Sequence, residues 1–244
     1  MTPALLLIAH GSRDPRHAAT VAALVEEVRA QRPGTEVATA YLDHCAPRIP
    51  QVVGRLADAV AVPLLLNRAF HAKHDIPAAL RAAGSRLPVA DVLGPSPLLL
   101  AALDRRLAGA GLDVSSAAVR ARTGVVLAAA GSSDPAADAA TRAVAAEWRR
   151  TRGWAAVEVA YASAAGPRVP DALAALRAAG ATRTAVAPYL LAPGLLPDRI
   201  AAAAEESGAD VLAAVLGPAP ELAALLLERY DEARSTSARP ALTA

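Results

Sequence analysis

Three side chains in the first third of the chain are of types that bind metal ions and accept protons: His10, Asp43 and His71. All five histidines of the 244-residue chain fall in this third, so any imidazole chemistry is confined to it. Imidazole together with carboxylate suits divalent zinc, iron, cobalt or nickel. We expect His10 and His71 to bind a divalent metal ion and to receive protons, and Asp43 to orient an imidazole or supply charge.

The elements that must position these residues alternate between strand and helix. Short apolar runs predict strands at 4–9, 36–42, 62–67 and 89–93, with helical patterns between them such as 16–31. This alternation predicts parallel sheets covered by helices, and ligands of such sheets bind beyond the carboxyl ends of the strands. His10 and Asp43 each come at such an end, and His71 comes four residues after the third predicted strand.

The second half of the chain repeats the landmarks of the first. The segment from Gly11 to Pro15 recurs from Gly131 to Pro135, and Pro47 to Pro50 recurs from Pro167 to Pro170. Strands are predicted again at 124–130, 157–162, 184–191 and 211–216. At the positions equivalent to the three candidate residues, the second half has Ala130, Ser163 and Leu196. The first half therefore has the candidate ligands, whereas the second half has only the surrounding motifs.

The duplication predicts an α/β protein with two similar lobes and an active-site cleft between them. Each lobe is expected to be a mainly parallel four-stranded sheet flanked by helices. We predict an N-terminal lobe at 1–116 that carries the reactive residues, a linker at 117–123, a C-terminal lobe at 124–232 that lacks them, and a flexible tail at 233–244.

Composition excludes several classes of protein. Hydrophobic residues make up 54% of the chain, yet no apolar run approaches the roughly 18 residues that a membrane span requires. The net charge of +2 includes no block of like charge, so neither nucleic acid nor a membrane is an expected partner. The first residues are typical of a strand and not of a signal peptide. With Cys45 as the single cysteine, no intramolecular disulfide can form, and a cytoplasmic location is expected.

The motifs resemble those of a known family. The segment 5–15, which contains His10, is similar to the opening of the class II chelatases that metallate sirohydrochlorin. The segment from Phe70 to Pro77 is similar to that family's aromatic-His-x-x-x-Asp-Ile-Pro signature, and 191–198 resembles its two-lobed members. The resemblance implies insertion of Co²⁺ or Fe²⁺ into sirohydrochlorin, for cobalamin or siroheme biosynthesis. It implies no permanently bound cofactor, because the divalent metal (Co²⁺, Fe²⁺ or Ni²⁺) is a substrate.

The resemblance also implies roles for particular residues. The family's two active-site histidines correspond to His10 and His71, and its acidic residue, usually glutamate, corresponds to the shorter Asp43. A second departure is 67–69, where the family is more apolar and contains glycine. The substrate is an octacarboxylate, for which arginine and lysine are suitable partners. Candidate substrate-binding residues are Arg13 and Lys73, with Arg48, Arg68 and Arg199 as weaker ones, and Leu195 and Leu196 in the apolar loop 192–197, which could pack on the macrocycle.

Two other functions are compatible with the same residues: a non-catalytic carrier of divalent metal, and a hydrolase in which a metal or Ser12 attacks an ester. Because both lobes are in one chain, a monomer is sufficient, and a dimer is also compatible.

We expect His44 to point away from Asp43, because strand residues alternate between faces. We expect His17 to be a solvated helix residue, Cys45 a small core residue and Asp14 a helix cap. For His74, a surface position is favoured over an additional ligand.

Overall fold

The computed structural model describes residues 2–67, 74–163 and 166–237. The chain divides into two compact units, one formed by Met1–Ser96 with Pro218–Ala244 and the other by Pro97–Gly217. Each unit contains a sheet of parallel strands flanked by helices. The α/β class and the two-lobed organisation predicted from the sequence are thereby confirmed.

The first unit contains a three-stranded sheet in the order β2-β1-β3. Leu5 on the central strand pairs with Val37 on one side and with Val60 on the other, and both pairings are parallel. The elements of this unit are β1 (Ala4–Ala9), α1 (Pro15–Gln31), β2 (Val37–Tyr41), α2 (Ile49–Val53), β3 (Ala59–Pro63), α3 (Ile76–Ala82) and, from the end of the chain, α9 (Pro220–Ser237).

The third and fourth predicted strands of this unit differ from the observed ones. β3 begins at Ala59 and ends at Pro63, four residues before the predicted end. The predicted strand 89–93 is reduced to an isolated parallel bridge between Ala61 and Val89. Proline lacks the amide hydrogen that a ladder needs, and Pro63 and Pro88 flank this short pairing.

The second unit contains a four-stranded parallel sheet in the order β5-β4-β6-β7. Its strands lie close to the predicted positions, except that β7 is only two residues long. The elements are α4 (Pro97–Gly109), α5 (Ala117–Arg120), β4 (Thr123–Ala129), α6 (Pro135–Arg152), β5 (Ala156–Tyr161), α7 (Val169–Ala178), β6 (Arg183–Pro188), α8 (Leu195–Glu206) and β7 (Val211–Leu212).

Alternate residues of each central strand face opposite layers of the core. On β1, Leu6 and Ile8 belong to a buried cluster with Ile49 of α2 and with Ile76 and Leu80 of α3. On β4, Val126 and Ala128 belong to the equivalent cluster with residues of α7 and α8. Because both faces of each sheet are covered, the strands are apolar almost throughout, as parallel sheets require.

The last helix of each half of the sequence packs in the unit that is formed mainly by the other half. α4 contacts β6, and its Asp104 accepts hydrogen bonds from Trp148 Nε1 (2.8 Å) and Arg152 Nε (2.6 Å). α9 contacts α1 and β3, and its Asp231 forms two hydrogen bonds with Arg32 (2.8 and 2.7 Å). The two units therefore do not coincide with the segments 1–116 and 124–232, because α4 belongs to the second unit and α9 to the first.

The end of the chain also differs from the expectation of a flexible tail from residue 233. α9 continues to Ser237, so residues 233–237 are helical. Arg234 lies over the ring of Tyr230, with 5.6 Å between the guanidinium carbon and the ring centroid, and Thr236 Oγ1 donates to the carbonyl of Glu232 (2.9 Å). Residues 238–244 lie outside the described part. Of the helices within the described ranges, none is both long and apolar enough to cross a membrane.

Candidate functional site

The loops after β1 and β2 are tied together at the carboxyl edge of the first sheet. The amide of Asp43 donates to the carbonyl of His10 (2.8 Å), which fixes the two residues side by side. Between them, Gly11 has a φ of +92°, and a Cβ there would collide with the carbonyl oxygen of Asp43. Glycine is therefore required both by its backbone conformation and by the close approach of the second loop.

His10 follows directly on the buried strand β1, and it is itself half-buried. Its Nδ1 lies 3.1 Å from the carbonyl oxygen of Gly11. A carbonyl can only accept, so Nδ1 is the donor in this contact, and in the neutral ring Nε2 then carries the lone pair. This tautomer is the one in which Nε2 can bind a metal ion or take up a proton.

Asp43 lies on the exposed rim of the same edge, and Arg48 holds it there. Its Oδ1 accepts from the backbone amide of His44 (2.8 Å) and from Arg48 Nη2 (2.9 Å). These two hydrogen bonds lower the pKa of the Asp43 carboxyl, the amide of His44 having the larger effect. Arg48 also donates to the carbonyl of Leu42. Among the suggested substrate cations, Arg48 is thus engaged in holding the loop of Asp43.

His44 does not point away from Asp43 as the sequence predicted. β2 ends at Tyr41, so the alternation of strand residues no longer applies at this position. Instead, Cys45 N donates to the carbonyl of Asp43 (2.7 Å), which makes His44 the centre of a tight three-residue turn with a φ of +61°. The turn brings the His44 ring within 6.2 Å of the His10 ring, between centroids, and its Nε2 within 3.6 Å of Asp43 Oδ2.

Two further residues near this edge also differ from expectation. His17, expected to be solvated, is half-buried with its ring 6.3 Å from that of Tyr41, and burial followed by the charge of His10 lowers its pKa. Its Nδ1 is buried and has no hydrogen-bond partner among the described residues. Cys45, expected in the core, is only partly buried, and its thiol donates to the carbonyl of Ser12 (3.0 Å). Asp14 is a helix cap as predicted: its Oδ1 accepts from Arg16 N (2.9 Å).

The other candidate residues are distributed over both units. His71, Arg68 and Lys73 lie outside the described residues, so their roles stay predictions. Within the described ranges, no three His, Cys, Asp or Glu side chains are arranged to hold a metal ion. Arg13, three residues after His10, is exposed, and His74 is exposed, as the sequence favoured. Leu195 and Leu196, expected in a loop, begin α8; Leu195 is 65% exposed and Leu196 is half-buried.

The corresponding edge of the second sheet repeats the backbone of the first. Ser163 N donates to the carbonyl of Ala130 (2.9 Å), as Asp43 does to His10. Gly131 has a φ of +93°, and a Cβ there would collide with the carbonyl oxygen of Ser163. The Ser163 hydroxyl donates to the carbonyl of Ala130 (2.6 Å). The second edge thus has a hydroxyl in place of the carboxylate of Asp43, and a methyl group in place of the imidazole of His10.

Comparison with known proteins gives matches over most of the chain. The CbiX family model matches residues 4–110 and again 124–233. The chain is 29% identical to the sirohydrochlorin ferrochelatase of Priestia megaterium, covering 91% of this chain and 87% of that protein. It is 26% identical to the sirohydrochlorin cobaltochelatase of the same organism, covering 93% and 79%. The structure of SirB from Bacillus subtilis with Fe³⁺ superposes with a TM-score of 0.82 at 25% identity, covering 97% of each chain. These matches confirm the resemblance that the motifs predict.

Proposed function

Because the chain belongs to the CbiX family, we propose that it is a chelatase that inserts a divalent metal ion into sirohydrochlorin. The observation that carries the proposal is the half-buried imidazole of His10 at the carboxyl edge of the first sheet, beside the carboxylate loop of Asp43. The two relatives that are named as sirohydrochlorin chelatases support the same substrate.

The reaction has two requirements that this edge addresses. The incoming ion must lose water, and the macrocycle must lose two pyrrole protons before the metal can occupy its centre. An imidazole can bind the ion, accept a proton, or do the two in succession. We assign these tasks to His10 and His71, and we assign to Asp43 the supply of negative charge, since its pKa is lowered and it stays ionised at neutral pH.

Binding of the macrocycle calls for cations at its rim and an apolar surface against its face. Arg13 is exposed in the loop after β1 and, with Lys73, is our candidate for the carboxylates. Leu195 and Leu196 are our candidates for the flat face. An exposed fraction of 65% is unusual for a leucine in the described ranges, where Val89 (39%) is the other exposed large hydrophobic side chain.

A charge reversal tests the assignment of Arg13. We expect Arg13→Glu to weaken sirohydrochlorin binding, measured by fluorescence quenching, much more than Co²⁺ binding. Arg142→Glu in the second unit is the matched control, because Arg142 is also an exposed arginine, paired with Asp138 (2.9 Å). Equal losses of sirohydrochlorin and Co²⁺ binding by Arg13→Glu, or an equal effect of the control, would contradict the assignment.

Co²⁺ and Fe²⁺ are the ions we propose as substrates, for cobalamin or siroheme biosynthesis. Imidazole and carboxylate accept both, and Ni²⁺ as well, so the ligand types alone do not select among them. The test is anaerobic metallation of sirohydrochlorin with Co²⁺, Fe²⁺ and Ni²⁺ in parallel, followed by absorbance. We expect the protein to accelerate metallation by Co²⁺ or Fe²⁺ well above the spontaneous rate. Metal binding without any acceleration would indicate a carrier, and cleavage of generic esters would indicate a hydrolase; each result would overturn the proposal.

A further inference from the structure

His44 has a backbone conformation that non-glycine residues adopt uncommonly, although histidine does so more often than most. Within the described ranges it is the single non-glycine residue with a positive φ (+61°). A tight turn centred on a residue of this kind is strained, and glycine or asparagine would adopt it more readily. Strain of this type persists where the surrounding structure enforces it, and it is concentrated at functional sites. The residue that occupies this turn therefore calls for an explanation beyond the turn itself.

The turn places the His44 imidazole beside that of His10. Their ring centroids are 6.2 Å apart, and the planes are inclined by 42°. Because a metal–imidazole nitrogen bond is about 2.0–2.1 Å long, two imidazoles on one tetrahedral ion have centroids roughly 5 Å apart. A small rotation about the side-chain bonds of His44, whose side chain is 33% exposed, would close the difference.

The carboxylate of Asp43 lies beside the ring of His44. Asp43 Oδ2 is 3.6 Å from His44 Nε2, just beyond hydrogen-bond distance, and Asp43 is itself held by Arg48 through a 2.9 Å hydrogen bond. Carboxylates that face one nitrogen of a ligating histidine fix its ring and leave the other nitrogen for the ion. In this arrangement Asp43 acts on the ion through His44. It need not reach the ion itself, which suits a side chain one methylene shorter than glutamate.

We propose that His44 is a further ligand for the incoming metal ion, which it receives together with His10, and that Asp43 is the residue that orients it. The inference rests on the proposed function, because the ion is the substrate of that reaction. Two imidazoles on a tetrahedral ion leave the other two coordination positions open to water and then to pyrrole nitrogens, as an ion in transit requires. His71 stays a proposed ligand from sequence alone.

The test measures Co²⁺ binding to the full-length protein without tetrapyrrole, by competition with a fluorescent chelator and by the visible absorption of bound Co²⁺. His44→Gly and His44→Asn remove the imidazole and suit the positive φ, so neither is expected to lower the melting temperature. We expect both variants to bind Co²⁺ at least about tenfold more weakly, the lower end of losses found when a ligand's supporting partner is removed. Free imidazole is expected to restore binding in His44→Gly, which has room for it.

Three results would overturn the inference: unchanged Co²⁺ affinity in both variants, a loss that imidazole leaves unrepaired, or a loss that follows a lower melting temperature. Failure here is distinct from failure of the proposed function. If the wild-type protein metallates sirohydrochlorin while His44→Gly binds Co²⁺ normally, only the inference on His44 is wrong. If His44→Gly shows the expected loss while the wild-type protein metallates nothing, the metal site stands and the chelatase proposal is wrong.

Discussion

The two lobes present the same loop frame at the carboxyl edges of their sheets, with different side chains on it. In the first lobe the amide of Asp43 binds the carbonyl of His10, and in the second the amide of Ser163 binds the carbonyl of Ala130, at 2.8 and 2.9 Å. Gly11 and Gly131 have the same left-handed backbone conformation. The frame is thus independent of the reactive groups, and the chemistry that we propose depends on a few substitutions within it.

The largest expected difference between the lobes is in the rate of metallation. We expect His10→Ala to slow sirohydrochlorin metallation by at least about 10²-fold, the lower end of what a positioned acid or base contributes. His71→Ala is expected to have an effect of similar size. Ser163→Ala, the control in the second lobe, should leave the rate unchanged. The rates are measured by stopped-flow absorbance, and a wild-type rate in both histidine variants would contradict the assignment of the chemistry to the first lobe.

The shared frame predicts equal losses of stability in the two lobes. Gly11→Ala and Gly131→Ala should each lower the free energy of unfolding by more than about 1 kcal/mol, because the new Cβ meets a backbone carbonyl as well as an unfavourable φ. Gly34→Ala separates the two causes, since Gly34 has a φ of +87° but open space around it. Urea denaturation measures all three. A loss in Gly11→Ala no larger than in Gly34→Ala would show that the close approach contributes nothing.

Substitutions of two equivalent arginines should differ in their effect on the metallation rate and agree in their effect on stability. Arg48 and Arg168 are the N-cap residues of α2 and α7. Arg48 donates to the carbonyl of Leu42, and Arg168 donates to that of Tyr161. Arg48 also binds the carboxylate of Asp43. We expect Arg48→Gln to reduce metallation by about tenfold through a misplaced Asp43. Arg168→Gln should keep the wild-type rate, and both should cost at most about 1 kcal/mol of stability. Equal rates for the two variants would contradict the role of Arg48.

The smallest effect concerns the pH dependence of stability. Burial, followed by the charge of His10, lowers the pKa of His17 in the folded protein, while Asp14 acts in the opposite direction. The unfolded chain therefore binds more protons, and stability should fall as the pH drops below about 6.5, the ordinary histidine value, until the folded pKa is passed. His17→Gln should flatten this slope in melting curves between neutral and mildly acidic pH. A slope as steep as that of the wild type would assign it to other groups.

Much of the fold follows from local patterns in the sequence. Apolar runs predict the central strands, and the Asp-Pro pairs predict helix starts: Asp14 and Asp134 each cap a helix through a 2.9 Å hydrogen bond. The exchange of α4 and α9 between the units does not follow, because nothing in the sequence distinguishes packing on the preceding sheet from packing on the other one. The reduction of the predicted strand 89–93 to one bridge coincides with Pro63, which lacks the amide hydrogen that a longer ladder would need.

The site is predictable to the extent that it depends on strand ends. The positions of His10 and Asp43 at one edge follow from the parallel sheet. Alternation predicts the wrong side for His44, because this residue lies three residues beyond the end of β2. The burial of His17 against Tyr41 does not follow from the sequence, because the apolar positions of α1 do not include His17 and its contact is with the following strand.

Crystals soaked with Co²⁺ under anaerobic conditions test most directly whether one lobe alone carries the chemistry. Anomalous scattering at the cobalt edge locates the ion independently of any assumption about its ligands. We predict a peak beside His10 and His44 at the carboxyl edge of the first sheet, and none at the equivalent edge beside Ala130 and Ser163. A peak at both edges, or one at the second edge alone, would contradict the assignment of the chemistry to the first lobe.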